Sequence, residues 1–161
     1  MRKITVLVTF ITIMLLLNYN IFQRENHLKH GKSIFLKLAP VDPRSLMQGD
    51  YMALDYEISS QINTHLSKNR VPNGLVLVSL NKQNIVSFVS VNKNKIAKEN
   101  QLLIQYRIRG EKIKFATNAF FFQDGTGSQY QNAKYGKFKV NKKHELLLTS
   151  LHDGNLTNLS L

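Results

Sequence analysis

Cysteine is absent from this 161-residue chain, and acidic residues are scarce, with 10 Asp and Glu against 22 Lys and Arg. The absence of cysteine excludes disulfide frameworks, cysteine-ligated zinc, iron–sulfur clusters, thiol nucleophiles and lipid attachment at an N-terminal cysteine. The shortage of acid leaves a formal net charge of +12. Apolar residues still make up 43% of the chain. That is enough for a hydrophobic core, so the composition predicts one folded domain rather than a disordered chain.

A long stretch without charge follows Arg2 and Lys3. It runs from Ile4 to Phe22, which is 19 residues, close to the roughly 20 that a helix needs to cross the hydrocarbon of a bilayer. A cleaved secretory signal begins in the same way but needs small residues at its cleavage site, and none occurs between residues 15 and 30. A buried core helix is disfavoured because the stretch has no polar face. We therefore predict a transmembrane signal anchor over residues 1–22.

The charges on either side of this segment predict its orientation. Arg2 and Lys3 precede it, and the positive-inside rule then keeps the N-terminus in the cytoplasm. Arg24, Lys29 and Lys32 on the far side act against this orientation. The prediction is a single-pass protein of the bacterial inner membrane with a periplasmic C-terminal domain. Residues 23–33, which are polar apart from one leucine, are predicted to be a juxtamembrane spacer or the end of the anchoring helix.

Residues 34–161 contain mostly patterns of period two, which are typical of strands. Alternating apolar residues from Ile34 predict a first strand that ends at Pro40. Three further pairs of such patterns flank short polar turns and predict hairpins; these pairs cover residues 75–91, 101–116 and 136–151. Short helices are predicted over residues 43–48 and 128–134, and residues 59–73 are predicted to be loop or frayed helix. The predicted fold class is α+β: a mainly antiparallel β outer domain with one or two short helices, preceded by the N-terminal transmembrane helix.

The densest motif lies between residues 38 and 58. Asp42 before Pro43 is typical of a helix N-cap with proline in the first turn, and Gly49 stands where a left-handed residue would end that helix. From Asp50 onward, the alternation of a strand would give one wholly apolar or aromatic face. We expect that face to lie in the core. Its residues are Met52, Leu54, Tyr56 and Ile58.

Residues 49–56 read Gly-Asp-Tyr-Met-Ala-Leu-Asp-Tyr, and this segment resembles the GDYXXLXY family, whose name is its motif. The Pro-Val-Asp-Pro-Arg segment at 40–44 and the aromatic and glycine-containing segment at 118–127 are also similar to segments of that family. The resemblance implies a membrane-anchored bacterial protein of uncharacterised function, beside a multi-pass membrane protein, and it implies no reaction. The motif residues are the candidate binding residues: Asp42, Arg44, Gly49, Asp50, Tyr51, Leu54 and Tyr56.

The acidic residues of the motif leave two alternatives open. In the first, Asp42, Asp50 and Asp55 form a site for acid–base chemistry or for a cation, together with Arg44, and the protein is an envelope enzyme. In the second, which we favour, they cap a helix, lie on a solvated strand face and fix a turn. No catalytic residue, cofactor site or metal site is assigned from the sequence.

The histidines do not change this assignment. His27 and His30 have the i, i+3 spacing of metal ligands on a helix, but no third ligand lies nearby in the sequence. We expect both to be residues of the membrane interface. His65, His144 and His152 are isolated in predicted loops or hairpin edges, and the expectation for each is a place on the surface rather than a role in chemistry.

Positive charge is concentrated late in the chain. Residues 93–143 carry twelve Lys or Arg and three acidic residues, which accounts for nine of the twelve net charges. Nucleic-acid binding is one interpretation, but a domain outside the cytoplasm meets little nucleic acid. Anionic lipid or an acidic envelope polymer is a more suitable partner than nucleic acid, but we favour the interpretation that these charges form a solvated surface without a ligand. The predicted function is a non-enzymatic binding or accessory module for a membrane partner.

Overall fold

The computed structural model describes residues 2–39, 47–48, 51–66, 71–91, 99–110 and 112–160. Asp42, Arg44, Gly49 and Asp50 of the motif lie outside these residues. The described helices are α1 (Arg2–His30) and α2 (Glu57–Leu66), and a 3₁₀ turn covers Gly127–Tyr130. The described strands are β1 (Lys32–Lys37), β2 (Met47–Gln48), β3 (Tyr51–Ala53), β4 (Asn73–Leu80), β5 (Val86–Val91), β6 (Gln101–Arg109), β7 (Lys112–Lys114), β8 (Ala119–Phe121), β9 (Tyr135–Val140) and β10 (Leu146–His152).

α1 is one helix of 29 residues that buries none of its side chains. Its mean hydropathy over an 18-residue window is 2.0, so it is long and apolar enough to cross a membrane. The hydroxyls of Thr9 and Thr12 donate to carbonyls four residues earlier, at 2.9 and 2.8 Å, which satisfies these polar groups within the helix itself. Residues 23–30, the predicted spacer or helix end, continue the same helix.

Among the described residues, three antiparallel sheets form the outer domain, with strand orders β1-β9-β10, β2-β3-β8 and β5-β4-β6-β7. The three predicted hairpins are confirmed as the adjacent pairs β4 with β5, β6 with β7, and β9 with β10. The predicted first strand is β1, and it pairs with β9 from the later part of the chain. The predicted fold class is therefore confirmed, since an apolar N-terminal helix precedes antiparallel sheets and little other helix.

The apolar residues predicted for one face of the motif do lie in the core, but the predicted strand ends at Ala53 and Ile58 belongs to α2. The four residues, Met52, Leu54, Tyr56 and Ile58, are between 1% and 6% exposed. Buried side chains from the sheets and from α2 surround them. The largest of these neighbours are Tyr106, Phe115, Phe138 and Ile62. The four buried side chains of the motif therefore stabilise the folded domain, because burial of large apolar groups is the main stabilising term of folding.

The expectation of loop or frayed helix over residues 59–73 is wrong for its first half, where α2 forms a regular helix. Ile58, Ile62 and Leu66 are spaced by four and are all buried, which gives the helix one apolar stripe. Serine, threonine and asparagine fill most of its other positions and lower its intrinsic helix propensity. Tertiary burial of the stripe stabilises the helix despite that composition.

The short predicted helices are also corrected. The end of the helix predicted over residues 43–48 is strand β2, in which Met47 pairs with Met52 and Gln48 pairs with Tyr51. Pairing with β3 satisfies backbone groups at once, whereas a helix this short gains few hydrogen bonds for its nucleation cost. The rest of that segment lies outside the described residues. Of residues 128–134, only the first three belong to the 3₁₀ turn.

Three turns of the outer domain share one construction. A side-chain oxygen at the first position accepts hydrogen bonds from the backbone N–H groups two and four residues later, and the fourth position has positive φ. The first positions are Asn81, Asn141 and Asp153. The fourth positions are Asn84 (60°), His144 (65°) and Leu156 (64°). An Asx side chain therefore fixes each turn, and the turn that begins at Asn141 faces α1.

Candidate functional site

The described motif residues do not converge on one site. Leu54 and Tyr56 are 2% and 1% exposed and belong to the core. Tyr51 lies on the other face of β3, where it is partly exposed and its ring contacts Phe121 with 5.7 Å between centroids. Tyr51 and Phe121 are also direct partners in the register of β3 and β8. The motif thus has an inner face that packs in the core and an outer face on which Tyr51 contacts the ring of Phe121 from β8.

Tyr56 has a structural role. Its hydroxyl donates to the carbonyl oxygen of Thr117 at 3.1 Å. Its ring meets Phe115 and Phe138 edge-on, each with 5.7 Å between centroids. Burial raises the pKa of Tyr56 far above its usual range, so the phenol stays neutral and acts as a hydrogen-bond donor. The last tyrosine of the motif therefore fixes β3 to the core.

Asp55 is part of a surface ion pair. Its carboxylate lies 3.4 Å from Nζ of Lys112, and the two side chains are 44% and 70% exposed. Exposed pairs of this kind contribute little to stability. Asp42, Asp50 and Arg44, the other members of the predicted acidic site, lie outside the described residues. Asp55 is the only acidic member of that predicted site among the described residues, and it is paired with a lysine.

The end of α1 is fixed to the outer domain at one junction. Nε2 of His27 donates to the carbonyl of Lys139 on β9 at 2.9 Å, and Asn141 Nδ2 donates to Nδ1 of the same ring at 3.5 Å. Gly31, where the helix ends, has no room for a side chain, since a Cβ there would lie 2.6 Å from the carbonyl of His27 and 3.0 Å from Cβ of Lys139. His27 is therefore a contact residue between helix and domain, and the expectation that it only meets the membrane surface was incomplete.

A cleft of about 520 Å³ opens beside this junction. It lies between residues 19–27 of α1 on one side and β6 with the turn of β9 and β10 on the other. We call it the junction cleft. Its charged and titratable lining consists of Tyr19, Arg24, His27, Arg107, Lys143 and Glu145. The cleft therefore brings together three cations from three separate parts of the chain.

The polar contacts inside the junction cleft leave its cations available. One terminal nitrogen (Nη2) of Arg107 donates to the carbonyl of Ala116 at 3.0 Å, which orients the guanidinium. The carboxylate of Glu145 accepts a hydrogen bond from Asn141 Nδ2 at 2.7 Å. Within the described part of the chain, Arg24, Arg107 and Lys143 form no ion pair. Three cations therefore face a cleft with one carboxylate, which favours an anionic ligand.

The β6–β7 hairpin adds like charges next to the cleft. Arg107 lies directly opposite Lys114, and Arg109 directly opposite Lys112. Like charges at such positions destabilise a sheet, and within the described residues only Lys112 has a carboxylate partner. The predicted basic surface is thus partly located on this hairpin, with Arg107 at the point where it reaches the cleft.

His152 is buried, so the expectation of a surface residue is wrong. It is 5% exposed, and its Nδ1 donates to the carbonyl of Leu156 at 2.8 Å. Its Nε2 then accepts from the hydroxyl of Ser150 at 2.9 Å, and Ser150 is itself only 8% exposed. Both ring nitrogens are therefore used within the fold, where they join the end of β10 to the turn that follows it.

The sequence could not reveal the junction cleft. Arg24, Arg107 and Lys143 share no motif, and only the pairing of β1 with β9 brings the turn of β9 and β10 back to the end of α1. One feature of the sequence did indicate the shape of the turn that carries Lys143. Asn141 lies two positions before Lys143, and an Asx residue at that place predicts a turn of defined shape. Nothing in the local pattern states that α1 would lie against that turn.

Comparison with known proteins gives one match. A family model described as GDYXXLXY protein matches residues 13–151 of the chain. The match covers the second half of α1, the motif strand and nearly all of the sheets, so it extends over most of the molecule. No curated protein and no solved structure matches the chain.

Proposed function

This chain belongs to the GDYXXLXY family, and on that basis we propose that it is a single-pass protein of the bacterial inner membrane. Its outer domain, in this proposal, is periplasmic and serves as a non-enzymatic binding or accessory module for a multi-pass membrane protein. The family has no characterised reaction, so the proposal is argued from the distribution of apolar and charged surface.

The exposed apolar surface of α1 carries the proposal. Large apolar side chains from Ile4 to Phe22 are between 46% and 70% exposed, and no residue of the helix is buried. A monomeric soluble protein rarely exposes a contiguous apolar surface of that extent. As a helix, the segment is also close in length to the thickness of the hydrocarbon layer of a bilayer. Insertion into a membrane would remove this surface from water, and the position of Arg2 and Lys3 before the apolar segment supports a cytoplasmic N-terminus.

The outer face of the motif sheet supports a role in binding protein. Phe121 is 73% exposed, more than any other large apolar side chain in the described outer domain. Its ring contacts Tyr51, and the exposed Ala53 follows on the same face of β3. Aromatic residues that lie together at a surface are typical centres of protein interfaces. A membrane protein beside the anchor would bind at this face.

Membrane orientation can be tested by labelling, because the chain contains no cysteine. Lys82→Cys places one thiol on the exposed turn between β4 and β5. We expect a membrane-impermeant maleimide to label this variant in intact spheroplasts, and the chain to stay in the membrane pellet after extraction with alkaline carbonate. Labelling only after permeabilisation would contradict the orientation, and release by carbonate would contradict the anchor.

The partner can be tested by site-specific photo-crosslinking in native membranes. A photoreactive phenylalanine analogue at position 121 should give one discrete adduct that contains a multi-pass membrane protein. The same analogue at position 82, on a turn away from the motif sheet, serves as the matched control. Failure to form an adduct at position 121, or the same adducts from both positions, would contradict an interface on the motif sheet.

A further inference from the structure

We propose that the junction cleft binds the headgroup of an anionic phospholipid of the membrane that holds α1, such as phosphatidylglycerol. This inference rests on the proposed membrane anchoring, and it adds a specific ligand to it. The position of the cleft along α1, the chemistry of its lining and its contact at Tyr19 with an apolar groove all favour this ligand.

The cleft lies at the depth of a lipid headgroup. The apolar part of α1 ends at Phe22, and Arg24 follows about 3 Å further along the helix axis. Tyr19, which lines the cleft, is one of the aromatic residues that favour the interface between hydrocarbon and water. If the apolar segment fills the hydrocarbon, Arg24 and the cleft are level with the phosphates.

The lining of the cleft suits a phosphodiester. Arg107 uses one N–H for the carbonyl of Ala116, and the remaining donors of its planar guanidinium can bind two phosphate oxygens. Arg24 and Lys143 supply two more positive charges around the same space. Glu145 is the opposing charge, and its carboxylate is already bound by the amide of Asn141 at 2.7 Å. The excess of cations favours an anionic ligand such as a phosphodiester.

His27 shapes the cleft without binding the phosphate. Both of its ring nitrogens are used, by the carbonyl of Lys139 and by the amide of Asn141. These two bonds hold the turn that carries Lys143 against α1. The cleft is therefore formed before any ligand arrives, which lowers the entropic cost of binding.

A lipid fits better than free phosphate because the cleft adjoins an apolar groove at Tyr19. Tyr19 lines the cleft and also a groove on α1 formed with Leu15, Leu16 and Phe22. A headgroup in the cleft would therefore have its acyl chains along that groove, within the hydrocarbon. Inorganic phosphate would use the cations alone and gain nothing from this apolar surface.

The test measures lipid binding to the full chain, purified in an uncharged detergent, by native mass spectrometry. We expect the chain to retain one phosphatidylglycerol and to bind phosphatidylcholine much more weakly. Since each cation at an anionic membrane surface contributes on the order of 1 kcal/mol, Arg107→Gln and Lys143→Gln should each weaken phosphatidylglycerol binding about five-fold. Thermal unfolding of Arg107→Gln shows whether loss of the Ala116 contact has altered the fold, and Lys143→Gln does not share that contact.

Two matched controls separate a defined site from general attraction. Arg109→Gln removes the next cation on the same strand face, and Lys142→Gln removes the adjacent lysine of the same turn; neither residue lines the cleft. Both variants should bind phosphatidylglycerol nearly as well as the unaltered chain. Equal losses in cleft and control variants would overturn the proposal, because they would indicate diffuse electrostatic attraction.

Two further outcomes would also overturn it. One is equal retention of phosphatidylcholine, and the other is displacement of phosphatidylglycerol by inorganic phosphate at similar concentration, which would make soluble phosphate the ligand. The result is separable from the proposed function. A chain that resists carbonate extraction but has no preference for phosphatidylglycerol disproves only the lipid site, whereas a chain released by carbonate disproves the anchor itself.

Discussion

Replacing Tyr56 by phenylalanine tests whether the last motif tyrosine acts through its hydroxyl. The substitution keeps the ring between Phe115 and Phe138 and removes only the donor to the carbonyl of Thr117, now at 3.1 Å. A hydrogen bond of this kind contributes about 1 kcal/mol net, and a buried acceptor left without a donor costs about 1–3 kcal/mol. Because Thr117 is partly accessible to water, we expect a loss of about 1–2 kcal/mol.

Two further variants bracket that value. Tyr56→Ala removes the whole ring from the core and should cost about 3–5 kcal/mol, because it also leaves a cavity. Phe121→Ala removes an aromatic ring that is 73% exposed, and it should change the free energy of unfolding by no more than about 0.5 kcal/mol. The three substitutions therefore separate the hydroxyl, the buried ring and the outer aromatic surface of the same sheet.

Pulse proteolysis in urea suits this measurement. The chain contains no tryptophan, and α1 remains helical in a micelle, so proteolysis reports unfolding of the outer domain more directly than fluorescence or far-ultraviolet circular dichroism. With an m value of about 2 kcal/mol/M, Tyr56→Phe should lower the urea midpoint by about 0.5–1 M. A midpoint no lower than that of Phe121→Ala would refute the assigned role of the hydroxyl.

Three further predictions concern backbone and turns. Gly74→Ala should destabilise the domain by about 1–3 kcal/mol in the same assay, since a Cβ would lie 2.6 Å from the hydroxyl of the buried Tyr106. His144→Asn should stabilise it by about 0.5–1 kcal/mol, because asparagine tolerates the φ of 65° better than histidine; a lower urea midpoint would count against that. The backbone N–H of Thr157 is the main cause of the lowered pKa of Asp153. The stability from that carboxylate is present above its unfolded pKa of about 3.9 and lost as pH falls through the folded pKa, so the melting temperature of Asp153→Asn should fall less on acidification than that of the unaltered chain.

Local patterns predicted most of the fold. The alternation of apolar residues located β1 and the three hairpins, and the same alternation predicted that Leu54 and Tyr56 would be buried. Such features depend on neighbours within a few positions, where strand geometry alone decides which side chains share a face. α2 was predicted only as loop or frayed helix because of its many polar residues, although its buried stripe has the spacing of a regular helix.

The contacts that form the junction cleft depend instead on residues that are distant from one another in the sequence. The basic surplus left an anionic partner open as one alternative, but composition does not show which cations lie close together in the fold. The pairing of β1 with β9 decides this, because β1 directly follows α1 and leads the chain from that helix into the sheet. Gly31 allows the close approach at that point, and His27 fixes it with two hydrogen bonds. Lys143 and Arg24 thus line one cleft as a consequence of tertiary packing. The strong local signal of the motif marked a structural strand instead, and the charged cleft formed elsewhere.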